Sequence, residues 1–232
     1  MIPKILHHTA PTDKTKWGPF WNKCLDSWYN QYPTNEYEHI FWTDEDLDIL
    51  VSNDYPEYFD LYRSFPFHIM RIDFARYLML HKFGGLYVDM DYYCYKNFHS
   101  MIKDADLVLI EALVRNEIVT NSMMASEPNH PFWIDCLEET RRFNYPYTET
   151  LDLNHYILDI TGPFFLSRMA MRSEHKIHIL NKKDFNPDIE EKDESIVVRH
   201  MLTGVWGWGL HEEELIECYK RHRNIDPNTY EF

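Results

Sequence analysis

The chain has 232 residues, 44% of them hydrophobic, and its 38 acidic against 23 basic side chains leave a formal net charge of −15. That length fits a single domain, residues 1–232, with room for a substantial core. The charge excludes the Lys/Arg-rich surface that a phosphate backbone demands, and charge-driven docking on anionic membranes.

Residues 2–6 read as a short first strand running into a polar loop at His7, His8 and Thr9. A helix is expected over 17–30, with Trp21, Leu25 and Trp28 on one face. A second strand follows over 37–42, and Thr43-Asp44-Glu45-Asp46 has the form of a capping box opening the next helix. Residues 66–83 form the clearest helix and stop at Gly84-Gly85 in the manner of a left-handed C-cap. A strand then carries Asp89 and Asp91. Further strands are expected over 105–111, 177–180 and 196–200, an extended or turn segment over 118–125, and a helix over 131–143. Pro163 suits the first turn of another helix, and 184–194 is charged and loop-like. Strands alternating with helices predict an α/β sheet flanked by helices.

The cysteines Cys24, Cys94, Cys136 and Cys218 are far apart and form no CxxC pair. A zinc site is therefore not expected, and thiols in a reducing compartment are the plain reading. No apolar run approaches a membrane span, and the first residues lack a signal-peptide core, so the chain reads as soluble and cytoplasmic. A Golgi lumen or host-cell cytosol would apply to a eukaryotic or viral source. Aromatic residues, 16% of the chain, are enough to line a sugar or nucleobase pocket, although most such rings fill cores.

Chemistry concentrates around 69–91. Period-two alternation would turn Tyr87, Asp89 and Asp91 to one side of a strand and Leu86, Val88 and Met90 to the other. Two converging carboxylates repel unless a cation lies between them, and carboxylate oxygens suit Mg²⁺ or Mn²⁺, ions that usually also hold phosphates. Taken alone, Asp-x-Asp reads as a solvated turn; the helix, double glycine and apolar strand before it are what point to a site. Asp73 and Arg76 are three apart on the preceding helix, so they share a face. That face also carries Ile69 and Leu80, which sets an ion pair on an apolar stripe, where a charge usually has a specific task.

The run from Ile69 to Asp91, IMRIDFARYLMLHKFGGLYVDMD, resembles the sugar-binding DxD region of glycosyltransferase family 32. The resemblance continues in order along the chain. It takes in IPKILHHT at the start, Ser27-Trp28, Phe41-Trp42-Thr43-Asp44, Asn121 to Ser126 with His130 to Trp133, Thr161-Gly162-Pro163, and His200 with the GVWGW segment at 204–208. It implies a GT-A fold, a Rossmann-like mixed sheet flanked by helices. It also implies a retaining, metal-dependent transfer of a hexose from a UDP- or GDP-sugar to a glycan, lipid or protein hydroxyl, as in initiating α-1,6-mannosyl transfer or capsule synthesis.

By the same resemblance Asp89, Asp91 and His200 would hold Mn²⁺ or Mg²⁺, and Asp73 and Arg76 would meet the donor sugar or its phosphates. His7, Thr9, Tyr87 and Asn121 would lie in the donor pocket, with Trp206 or Trp208 as a lid on the diphosphate. His8 departs from the family's usual glutamine, and no carboxylate nucleophile can be assigned; Asp73 and Glu111 are the ones to inspect. Taken alone, His200 also reads as a satisfied core or surface histidine, Asn121 as a turn residue, and Thr161-Gly162 as a helix start, the alternative being a tight backbone approach to the ligand. Two other classes compete. A haloacid-dehalogenase-like phosphohydrolase also places Asp-x-Asp after a strand, but Tyr93 stands where Thr or Val would be wanted. A non-catalytic carbohydrate-binding module would leave the charged residues without work.

Overall fold

β1 (Ile5–Thr9) leads into α1 (Trp21–Gln31), β2 (Glu38–Trp42), α2 (Asp44–Asp54), α3 (Pro56–Ser64) and the long α4 (His68–Phe83). β3 (Gly85–Val88), β4 (Tyr92–Cys94), α5 (His99–Ile102), β5 (Leu107–Glu111) and β6 (Val119–Ser126) follow. The rest is α6 (Pro131–Phe143), α7 (Leu153–Ile160), α8 (Pro163–Arg172), β7 (His178–Leu180), α9 (Lys182–Phe185) and β8 (Val198–His200). These elements come from a computed structural model that describes residues 1–18, 20–112, 118–202 and 230.

Six strands form one mixed sheet in the order β2-β1-β3-β6-β5-β7. β1 runs parallel to both β2 and β3, and β7 parallel to β5, whereas β6 is antiparallel to its neighbours β3 and β5. The last strand does not join this sheet. β8 pairs antiparallel with β4 in a separate two-stranded ribbon.

Apolar side chains leave the sheet on both faces with the expected period of two. Leu107 and Leu109 join Tyr87 and Met124 in one core cluster, while Val108 and Ile110 join Leu86, Val88 and Met123 in the other. α4 lies in the first cluster and is buried from Asp73 to Leu80 without a break. A helix that is covered nearly all round is the centre of its layer, packed among α2, α3, α6 and α7. α1, with Trp28 and Tyr32, covers the opposite face.

Several boundaries depart from the sequence reading. β1 continues through His7 and His8, both fully buried, where a polar loop was expected. α3 and α7 were not anticipated; Pro56 starts the first at its first turn, and Asp152 caps the second through the His155 N–H. The charged stretch after residue 180 opens with α9, capped by Asn181. The capping box at Thr43 is present, with Thr43 and Asp46 satisfying each other's backbone N–H groups. α4 ends at Gly84 with φ 62 and ψ −155, a conformation outside the left-handed helical cap and essentially reserved for glycine. A Cβ there would come within 2.6 Å of Pro128 N, and one on Gly85 within 2.6 Å of the Ile5 carbonyl oxygen. The double glycine is what lets β3 lie against β1 immediately after the helix. Cys24, Cys94 and Cys136 are buried free thiols, Cys218 lies outside the described residues, and among those residues no helix is long and apolar enough to cross a membrane.

Candidate active site

Asp89 and Asp91 do converge, but by a turn and not by strand alternation. β3 ends at Val88, and the Asp89 N–H extends its ladder by one bond, donating to the Ser122 carbonyl at 2.8 Å. The chain then reverses, the Tyr92 N–H donating to the Asp89 carbonyl at 3.3 Å, and enters β4. Pairing of Tyr92 with His200 brings the end of β8 alongside, and the Met201 N–H donates to the Asp91 carbonyl at 2.8 Å. His200 Nε2 lies 3.2 Å from Asp91 Oδ1. One ligand atom from each of Asp89, Asp91 and His200 falls within 4.8 Å of the others.

Behind this trio lies a buried charge network. Arg76 Nη1 meets Asp73 Oδ1 at 2.9 Å, and its Nη2 meets Asp89 Oδ1 at 3.0 Å. The Asn121 amide also donates to Asp73 Oδ1, and the Thr161 hydroxyl donates to Asp73 Oδ2 at 3.2 Å. The guanidinium lies 4.8 Å from the centre of the Tyr87 ring, and Arg76 Nη1 donates to the Asn121 carbonyl. Burial pushes the Asp73 carboxyl up to about 6 despite the attraction of Arg76. Burial also pushes the Asp89 carboxyl upward, the pull of Arg76 notwithstanding, and Asp91 adds to the rise. For Arg76 burial opposes the charge, but Asp89 and Asp73 outweigh it and keep the guanidinium ionised.

β6 supplies both Asn121 and Ser122 because of an irregularity in its pairing. Leu109 stands opposite Met124, yet the next residue, Ile110, stands opposite Thr120. Asn121, Ser122 and Met123 have no counterpart on β5. Such bulges re-aim side chains next to functional sites.

The expected donor-pocket residues divide into framework and rim. His7, at 0% exposure, accepts from the Trp42 indole N–H through Nδ1 and donates through Nε2 to the Gly84 carbonyl, so both ring nitrogens are engaged inside the fold. Its pKa falls to about 4 and that of His8 to about 3, because burial disfavours the imidazolium. Tyr87 is equally buried; its hydroxyl donates to Asp89 Oδ1 at 2.5 Å and lies 2.9 Å from Thr9 Oγ1. Glu111 is not part of the cluster: its side chain accepts the Lys182 N–H and anchors the start of α9. Trp206 and Trp208 lie outside the described residues. Ser122 and Tyr92 were not foreseen, and Thr161 was expected as a helix start or a backbone approach to the ligand, not as a side-chain donor. Thr161 ends α7, and its carbonyl accepts the Tyr77 hydroxyl while its side chain reaches Asp73. The block around Asn121 was legible, but which of its residues face the site depends on the bulge.

The donor set fits a divalent cation. Tyr87 and Arg76 both close on Asp89 Oδ1, which leaves Oδ2 without a protein donor among the described residues. Arg76 pairs with both Asp73 and Asp89, and Asp91 adds a third carboxylate beside Asp89, so carboxylates outnumber guanidinium in the cluster and a cation would offset them.

Residues 18–109 match the family model described as a glycosyltransferase sugar-binding region containing a DXD motif. Inositol phosphoceramide mannosyltransferase 3 of Schizosaccharomyces pombe is 31% identical over 175 residues, covering 72% of this chain and 44% of that protein. Mannosyl phosphorylinositol ceramide synthase CSH1 of Saccharomyces cerevisiae is 31% identical over 176 residues, covering 72% and 42%. The initiation-specific alpha-1,6-mannosyltransferase of Candida albicans is 30% identical over 139 residues, covering 58% and 35%. The chain thus spans less than half the length of these curated relatives. A solved glycosyltransferase involved in glycosylation of the major capsid of PBCV-1 superposes with a TM-score of 0.50 over 93% of this chain and 98% of that one, at 11% identity. That likeness bears on the fold alone, and the fold is GT-A. The DXD region and the mannosyltransferase relatives support a family 32-like glycosyltransferase.

Proposed function

We propose that this chain transfers a hexose from a nucleotide sugar to a hydroxyl acceptor with retention of configuration, and that GDP-mannose is the donor to test first. The observation that carries the reading is the trio of Asp89, Asp91 and His200 at the end of β3, backed by Arg76. It lies where ligands bind in open α/β sheets, outside the carboxyl ends of the parallel strands. The mannosyltransferase names of the relatives favour mannose, hence GDP, over the UDP-hexoses. The acceptor is a hydroxyl of a glycan, lipid or protein, and its contacts belong to variable loops.

Asp89, Asp91 and His200 would hold Mn²⁺ or Mg²⁺. When bound there, the ion supplies Lewis-acid stabilisation of the charge that develops on the departing diphosphate. The chain's own residues prepare that place. Arg76 and Tyr87 hold one oxygen of Asp89 and so set the direction of the other. Asp73 and Asn121 present the polar wall for the donor sugar. Asp73 does not have the arrangement of a free nucleophile: Oδ1 accepts from Arg76 and Asn121, and Oδ2 from Thr161. Glu111 is engaged with α9. This favours front-face attack by the acceptor hydroxyl over a double displacement through a covalent glycosyl-enzyme.

The test is a donor screen. The protein is offered GDP-mannose, UDP-glucose, UDP-galactose and UDP-N-acetylglucosamine, with Mn²⁺ and with chelator, and free nucleoside diphosphate is followed. Metal-dependent release from GDP-mannose is expected. Release that chelator leaves unchanged, or none from any donor, would overturn the reading.

A further inference from the structure

The imidazole of His200 lies flat against the ring of Tyr92, with centroids 4.3 Å apart and planes 11° apart. The two residues are direct cross-strand partners in the β4–β8 ribbon, so the stack follows from the register. Tyr92 is fully buried, and its hydroxyl is 2.9 Å from Ser122 Oγ, which lies 2.7 Å from Thr120 Oγ1. The Tyr92 carbonyl accepts the Trp28 indole N–H at 2.7 Å. Tyr92 is thereby held at both ends, by α1 through its backbone and by β6 through its side chain.

The arrangement answers a mechanical need. Asp89 and Asp91 belong to the turn leaving the six-stranded sheet, whereas His200 belongs to a two-stranded ribbon, which by itself is marginally stable. A histidine that ligates a metal is ordinarily fixed by a hydrogen bond from its other ring nitrogen. Among the described residues no acceptor holds that nitrogen of His200, whose hydrogen-bonding partner is Asp91. An aromatic plane takes the place of the second bond. Ser122 serves both sides of the site, its carbonyl on the Asp89 N–H and its hydroxyl on Tyr92.

We propose that Tyr92 is a positioning residue for the cation site: its ring sets the plane of the His200 imidazole, and its hydroxyl ties that plane through Ser122 to the sheet that carries Asp89. The proposal rests on the cation-dependent reading of the site. Its consequence is that Tyr92 controls metal affinity although it touches no metal.

The experiment is Mn²⁺ titration by calorimetry on the whole chain without nucleotide, alongside thermal melting. The variants are Tyr92→Leu, Tyr92→Phe, Asp91→Asn and, as a core control on α6, Leu137→Ala. Tyr92→Leu is expected to weaken Mn²⁺ binding about tenfold or more, in the range of lost outer-shell partners. Tyr92→Phe keeps the stack, loses one hydrogen bond and is expected to weaken binding roughly threefold. Leu137→Ala should lower the melting temperature and leave Mn²⁺ affinity unchanged. If Tyr92→Leu does not fold, Tyr92→Phe and Ser122→Ala carry the test, and unaltered affinity in both overturns the proposal. So does a loss of affinity that Leu137→Ala reproduces. Wild-type binding that is indifferent to Asp91→Asn would overturn the reading of the site itself. Binding that needs Asp91 but ignores Tyr92 overturns only the role of Tyr92.

Discussion

Asp73 and Asp91 are both buried aspartates, 4% and 6% exposed, and they are surrounded in opposite ways. Asp73 sits inside α4 with a guanidinium, an amide and a hydroxyl closing on its two oxygens. Asp91 sits on a turn against an imidazole from another sheet, beside a second carboxylate. The first is a framework: its partners come from α4, β6 and the end of α7, and moving any of them strands a buried charge. The second is, on the proposed reading, a receptor, where the imidazole and the two carboxylates would turn to a cation. Asp89 belongs to both, one oxygen fixed by the framework and the other left for the receptor.

The widest separation between the two should come from replacing Asp91. Asp91→Asn is expected to lower metal-dependent release of nucleoside diphosphate by about 10³-fold, several kcal/mol of lost charge stabilisation. Its melting temperature should hold or rise, since a like-charge contact with Asp89 is relieved. Calorimetric melting beside the donor assay reads both, and a collapse of the fold would erase the distinction.

Arg76→Ala should reverse the pattern. It leaves Asp73 and Asp89 uncompensated in a buried place, which costs about 3–5 kcal/mol and lowers the melting temperature by roughly 10 °C. If the variant melts like the wild type, Arg76 is not the keystone of the inner network.

The pH dependence sharpens the contrast. Asp73 binds its proton near pH 6 in the folded chain against an ordinary 3.8, so its contribution to stability is present at low pH and lost as pH rises through 6. The same difference is on the order of 3 kcal/mol. His7 and His8 act in the opposite sense, their folded values of about 4 and 3 falling below the ordinary 6.5. The stability of wild type minus that of Asp73→Asn cancels them. That difference should rise as pH falls from about 7 to 4; a flat difference in denaturant melts would mean that Asp73 keeps an ordinary carboxyl.

Thr161→Val gives the smallest effect. Loss of one donor to Asp73 Oδ2 should cost about 1–2 kcal/mol in urea unfolding and leave Mn²⁺ affinity unchanged. A drop in Mn²⁺ affinity would show that the framework and the receptor are not separable.

Much of this was readable in one dimension. The double glycine, the helix before it and the sharing of a face by Asp73 and Arg76 follow from local sterics and the 3.6-residue period, and the structure holds each of them. The capping box at Thr43, the helix start at Pro163 and the faces of β3 were likewise encoded locally. His7 and His8 misled because polar residues ordinarily end strands; here Trp42 and Gly84 engage both ring nitrogens of His7, and the Val88 carbonyl engages Nδ1 of His8, from distant parts of the chain. β8 was expected as a further strand, but nothing local announces that it pairs with β4 outside the main sheet.

The sequence by itself determined the charged residue types, their order and the helix–glycine–strand unit that carries most of them, since these depend on propensity, period and backbone sterics within a few residues. Only the tertiary structure decided which carboxylate oxygens are closed by protein donors and which ligand atoms come together. That outcome depends on a bulge in β6, on the register of β4 with β8 and on a hydroxyl from the end of α7, contacts made between residues about ten to more than a hundred positions apart.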